Sequence, residues 1–94
     1  MKTYAARKDA NDGELARIAG QCGAFVLHME PGQGFDWLLF HRGRVLIVEI
    51  KDGRKPPSAR ALTPAEKNTQ RIAQAHHVLY HIVTTEAELL DLLA

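Results

Sequence analysis

Three residues, Asp36, Glu49 and Lys51, could do chemistry together. The segment His41-Arg42-Gly43-Arg44 joins two apolar runs, and Gly43 supplies the positive backbone angle that a two-residue hairpin loop requires. If Arg42 and Gly43 form that loop, His41 faces Arg44. Asp36 then stands across from Glu49, with Cβ atoms about 4.5 to 5.5 Å apart. Two carboxylates so placed repel each other unless a cation lies between them, and a hard divalent ion such as Mg²⁺ or Mn²⁺ prefers oxygen ligands. Side chains two apart on a strand share a face, so Lys51 lies beside Glu49 while Leu46, Val48 and Ile50 fill the other side. A metal that polarises a phosphate and acidifies a bound water, next to an ammonium group, is the equipment for phosphodiester hydrolysis. A solvated Glu-x-Lys pair at a strand end is the bland alternative. It fits less well here, because the pair closes the apolar run Val45 to Ile50 and faces a third charge.

The elements that position these residues are readable in outline. Asp9 to Cys22 has helical spacing of Leu15, Ile18, Ala19 and Cys22, with Asp9 as N-cap and Gly23 closing the helix. Ala24 to Met29, Phe35 to Phe40 and Arg44 to Lys51 are short apolar runs punctuated by Pro31, Gly32, Gly34 and Gly43, and read as strands. A loop from Asp52 to Leu62 leads to Thr63-Pro64-Ala65-Glu66, a capping box that opens a helix ending near His76. Val78 to Val83 reads as a fourth strand, and Thr85-Glu86-Ala87-Glu88 as a capping box before a leucine-rich helix. The expected fold is α/β with a mixed sheet, in the order α-β-β-β-α-β-α.

On the first helix, Asn11 falls on the apolar face and Glu14 at its edge. Polar groups there need partners. Either they are satisfied locally and by water, or both approach the metal site.

Ninety-four residues with 46% hydrophobic content support one modest core, so a single domain over residues 1–94 is expected. The single cysteine, Cys22, excludes an intrachain disulfide and a multi-cysteine zinc site. Met1 to Arg7 lacks a signal-like apolar stretch and no run approaches membrane-span length, so a soluble, cytoplasmic protein is expected. The net charge of +1 does not advertise a nucleic-acid binder, but its distribution does. Eight Lys and Arg residues lie between Arg42 and Arg71 against Glu49, Asp52 and Glu66, leaving the remainder acidic. Arg54, Lys55 and Arg60, in the loop after Lys51, are the candidate phosphate contacts. His76, His77 and His81 lack metal-ligand spacing. Trp37 could stack on an unpaired base but more simply packs in the core.

The run Gly34-Phe35-Asp36-Trp37-Leu38-Leu39, then Val48-Glu49-Ile50-Lys51, then Lys55-Pro56-Pro57-Ser58-Ala59-Arg60 and Leu62-Thr63-Pro64, resembles the stand-alone VRR-NUC proteins of phages and prophages. Asn11 with Glu14 is similar to their N-terminal helix motif. The resemblance covers roughly residues 7–83 and implies a restriction-endonuclease-like PD-(D/E)XK core. It also implies an endonuclease dependent on Mg²⁺ or Mn²⁺ that acts on DNA, in the manner of Holliday-junction resolution. By the family pattern Glu14, Asp36, Glu49 and the Ile50 carbonyl would hold the metal, and Lys51 would be the catalytic base or electrostatic helper. Phe35 stands where the family commonly has proline, and Glu66 where related sequences often have glutamine. The capping box accounts for Glu66, which is left out of the expected site.

Two other readings remain: a non-catalytic nucleic-acid or protein-binding module on the same fold, and an enzyme acting on other phosphodiesters. A homodimer is expected from the small size of the chain and from Leu89, Leu90, Leu92 and Leu93, which are too many for one core contact. Two sites related by a two-fold axis would suit a four-way junction.

Overall fold

The structure is a computed structural model that describes residues 10–94. Asp9, the expected N-cap, lies outside the described residues. Helix α1 (Asp12–Gln21) is followed by strands β1 (Phe25–His28), β2 (Trp37–His41) and β3 (Arg44–Ile50). A 3₁₀ turn (Pro57–Arg60) leads to α2 (Pro64–Ala75), β4 (Tyr80–Val83) and α3 (Glu86–Leu93). The order of helices and strands is the expected one, and the result is a mixed four-stranded sheet ordered β1-β2-β3-β4. β1 to β3 form an antiparallel meander, and β4 joins β3 in parallel after crossing through α2.

The hairpin register is as expected. His41 pairs with Arg44 and Trp37 with Val48. Arg42 (φ 51°) and Gly43 (φ 79°) both take positive φ, which matches the right-handed twist of a two-residue hairpin. Strand alternation then divides β3. Val48 and Ile50 are fully buried against Leu15, Ile18 and Ala19 of α1 and Leu89 and Leu93 of α3. Glu49 and Lys51 turn to the other face, where Lys51 meets Glu66 of α2.

The helix ends differ from expectation in detail. α1 starts at Asp12 with Asn11 as N-cap, and the Asn11 side chain makes no capping bond. Gly23 ends the helix with φ 90°, as expected, while the Ala24 amide bonds back to Ala19. The same motif ends α2, but with a non-glycine: His77 sits at φ 61° and the Val78 amide reaches Ala73 at 2.8 Å. That cap occupies Val78, so β4 begins at Tyr80 rather than Val78. At α3, Thr85 accepts the Glu88 amide, but the Glu88 carboxylate bonds the amide and hydroxyl of Thr84, so the box there is not reciprocal.

Two side-chain expectations resolve clearly. Trp37 is fully buried in the core and is no stacking platform. Leu89 and Leu93 are core residues, at 0% and 5% exposure, and Leu92 packs against the same cluster. Only Leu90 among the four leucines is largely exposed, so α3 does not supply the uncovered apolar surface from which a dimer was expected. No helix among the described residues is long and apolar enough to cross a membrane.

Candidate functional site

The regular β2–β3 ladder stops at Trp37, and Asp36 lies one residue beyond it. The Asp36 amide donates to the Val48 carbonyl at 3.0 Å, and its carboxylate accepts the Ile50 amide at 2.7 Å. The carboxylate is therefore fixed at the C-terminal end of β3, next to Glu49. Burial raises the Asp36 pKa; the Ile50 amide opposes this, and the charge of Asp12 adds to the rise.

Glu49 is 2% exposed and its Oε1 has no hydrogen-bond partner. Burial first, then the Asp36 charge, push its pKa up to about 9. A carboxylate in this position carries its proton at neutral pH unless a cation displaces it. Lys51 lies 3.4 Å from Glu49 Oε2 and 2.9 Å from Glu66 Oε1. Burial works against its charge, but Glu66 and Glu49 outweigh burial and the pKa is raised. Lys51 is thus held as ammonium.

Glu66 belongs to this cluster, which corrects the expectation that left it out. Its capping role is real: its carboxylate accepts the Thr63 amide and the Thr63 hydroxyl accepts its own amide. The box also aims that carboxylate at Lys51. Burial disfavours its charge, yet the Lys51 and Thr63 donors prevail and lower its pKa. Sequence spacing explained Glu66 by the local motif, and only the crossover of α2 over the sheet reveals the second role.

Three further residues support the site. Asn11 Nδ2 donates to the carbonyls of Lys51 (3.1 Å) and Thr84 (3.3 Å), tying α1 to the ends of β3 and β4. The Tyr80 hydroxyl, beside the carboxylates on the same sheet face, donates to the Gly34 carbonyl at 2.6 Å. Burial and the charges of Glu49, Glu66 and Asp36 raise its pKa. Asp12, buried at 3%, accepts Trp37 Nε1 at 3.2 Å and is the α1 carboxylate felt by Asp36.

Glu14 is placed elsewhere. Its carboxylate is exposed and paired with Arg17, and it borders a shallow depression with Asp52, Arg54 and Glu86. The structure does not bring it to Asp36 and Glu49. Among the expected phosphate contacts, Arg54 is exposed but bonded twice through its guanidinium to Asp52, at 3.0 Å each. Those bonds hold the Asp52 pKa down to about 2. Lys55 is exposed on the same loop, and Arg60 is half-buried in the 3₁₀ turn with Nε unpartnered.

Among the described residues, no group of three or more His, Cys, Asp and Glu side chains is arranged to hold a metal ion. Two carboxylates with carbonyl and water oxygens still fit Mg²⁺, which commonly retains several waters. The unpartnered Glu49 Oε1 beside Asp36 is the donor such an ion would find. Comparisons with protein-family models, curated proteins and solved structures gave no match.

Proposed function

We propose that the protein is a divalent-metal-dependent phosphodiesterase acting on DNA, with a PD-(D/E)XK-type site. The observation that carries this reading is the buried Glu49 carboxylate, lacking a partner at Oε1, set between Asp36 and Lys51. Without a ligand, a buried carboxylate pair serves stability poorly. A cation converts the same pair into an asset. Asp36, Glu49 and the Ile50 carbonyl would hold Mg²⁺ or Mn²⁺; when bound, the ion polarises a phosphate oxygen and acidifies a water.

Asp36 is oriented for this by the Ile50 amide, and Glu49 by its place on β3. Lys51, kept protonated chiefly by its bond to Glu66, acts as an electrostatic helper opposite the charge that builds on the phosphate, rather than as a base. Glu14 enters the metal shell only if α1 or its side chain rearranges away from Arg17. Arg54, Lys55 and Arg60 follow directly on β3 and would track the DNA backbone.

A homodimer remains part of the proposal, with its surface on the sheet rather than on α3. Phe25 (59% exposed), Phe40 and Val45 (64% exposed) form a row across β1, β2 and β3, with Leu27 exposed beside it. This apolar surface carries no charged side chain among those residues, so a second copy of the chain suits it better than a phosphate backbone does. Monomers seldom expose apolar patches above a few hundred Å².

The test is cleavage of linear, flapped and four-way DNA with Mg²⁺ or Mn²⁺. Metal-dependent cleavage lost in Asp36→Ala is expected. DNA binding without cleavage of any substrate would favour the binding-module reading.

A further inference from the structure

The segment before Asp36 is held from two sides. From β4, the Tyr80 hydroxyl donates to the Gly34 carbonyl at 2.6 Å. From α2, the Thr69 hydroxyl lies 3.4 Å from the Gln33 carbonyl. Gly34 itself is buried at φ 88°, and a Cβ there would overlap Thr69 Oγ1 and come 3.0 Å from the Ala65 carbonyl. Two residues later the chain delivers the Asp36 carboxylate to the Ile50 amide. We propose that Tyr80 is a positioning residue that fixes the Gly34–Asp36 segment, and with it the Asp36 carboxylate, at the end of β3.

The chemistry of a phenol makes the assignment specific. Tyr80 has one hydroxyl proton, and the short bond to Gly34 commits it. Burial, and then the carboxylate of Glu49, which also lies within hydrogen-bonding reach of the phenol, raise the Tyr80 pKa, and the bond drawn tightest by the hydroxyl is the one to Gly34. The stretch from Glu30 to Phe35 lies outside the strands, whereas Asp36 is bonded through its amide to Val48 and through its carbonyl to the Met29 amide, so the contacts to Gln33 and Gly34 define the path by which the chain enters that anchored position. A phenylalanine would keep the ring and lose only the tether.

The metal-binding part of this inference rests on the proposed function, but the placement of Asp36 can be read without metal. The Ile50 amide proton reports on it directly, because Asp36 is its acceptor. In Tyr80→Phe, amide hydrogen exchange at Ile50 should rise about tenfold, clearly more than at Leu39, with the fall of a few degrees in melting temperature that loss of one hydrogen bond entails. Mn²⁺ affinity, measured by calorimetry, should fall by a similar factor. A purely structural tyrosine would instead raise exchange at Leu39 as much as at Ile50, and that result overturns the proposal. Unchanged protection at Ile50 overturns it too. If the wild type takes up no Mn²⁺, the proposed function falls, while Ile50 exchange still decides the role of Tyr80.

Discussion

The Lys51 ammonium lies 2.9 Å from Glu66 Oε1, and that same oxygen accepts the Thr63 amide that opens α2. A helix cap and a site lysine thus share one carboxylate oxygen. Glu66→Gln retains an acceptor for both donors and removes one negative charge from the cluster. It should fold with stability within about 1 kcal/mol of wild type, whereas Glu66→Ala should lose about 1 to 2 kcal/mol with the cap. Because the Glu66 charge helps raise the Glu49 pKa, Glu66→Gln should also shift Glu49 titration to lower pH. Carboxyl-carbon NMR across the titration checks this; an unmoved Glu49 would separate Glu66 from the site.

Glu49 sets the pH dependence of the metal-free protein. Its folded pKa of about 9 lies above the 4.5 ordinary for a glutamate. The folded state therefore holds the proton more tightly than the unfolded state. The associated stability is fully present below pH 4.5 and is lost as pH rises through about 9. Thermal melts of the metal-free protein should fall across this window, and Glu49→Gln should flatten the fall. A curve of the same slope in the variant would assign the dependence to another group.

Mn²⁺ must compete with that proton, so binding near pH 7 should release about one proton and tighten as pH rises toward 9. Calorimetry in buffers of different ionisation heat measures the release. Binding that is independent of pH would place the ion away from Glu49.

Removing Arg54, Lys55 and Arg60 together should weaken DNA binding without regard to sequence and flatten the dependence of log affinity on log salt. Arg54 should contribute less than its exposure suggests, since Asp52 already occupies two of its nitrogens. An unchanged slope moves the DNA face to another part of the surface.

Val45→Lys and Phe25→Lys place charge in the exposed row of the sheet. Both should leave the fold intact and convert a dimer into soluble monomer in sedimentation equilibrium. By contrast, Leu89→Ala should cost about 2 to 5 kcal/mol, because Leu89 fills the core. A dimer that survives both lysine variants lies on a different surface.

The residues that were legible in the sequence are those fixed by local rules. Gly43 set the hairpin register, strand alternation put Glu49 and Lys51 on one face, and Gly23 and Thr63 ended or opened helices as their chemistry requires. What stayed hidden depends on contacts between distant segments. Glu66 looked explained by its cap until α2 crossed the sheet to Lys51, 15 residues away in sequence. Tyr80 reaches Gly34 across 46 residues, and no periodicity signals it. Glu14 and Asp12 differ by half a helical turn, and the docking angle of α1 buries Asp12 while leaving Glu14 with Arg17. The leucines of α3 misled because Leu89, Leu92 and Leu93, spaced i, i+3 and i+4, share one helix face that the core covers, and only Leu90 falls outside it.

Titration of Mn²⁺ into the wild type, Asp36→Ala and Lys51→Ala, followed by DNA cleavage with each, tests the central claim most directly. Wild type should bind and cleave. Asp36→Ala should lose metal affinity by at least about a hundredfold, the effect expected when a direct ligand is removed rather than an outer-shell partner. Lys51→Ala should bind Mn²⁺ and DNA but lose turnover by orders of magnitude. Equal Mn²⁺ affinity in wild type and Asp36→Ala would contradict a metal site built on Asp36 and Glu49.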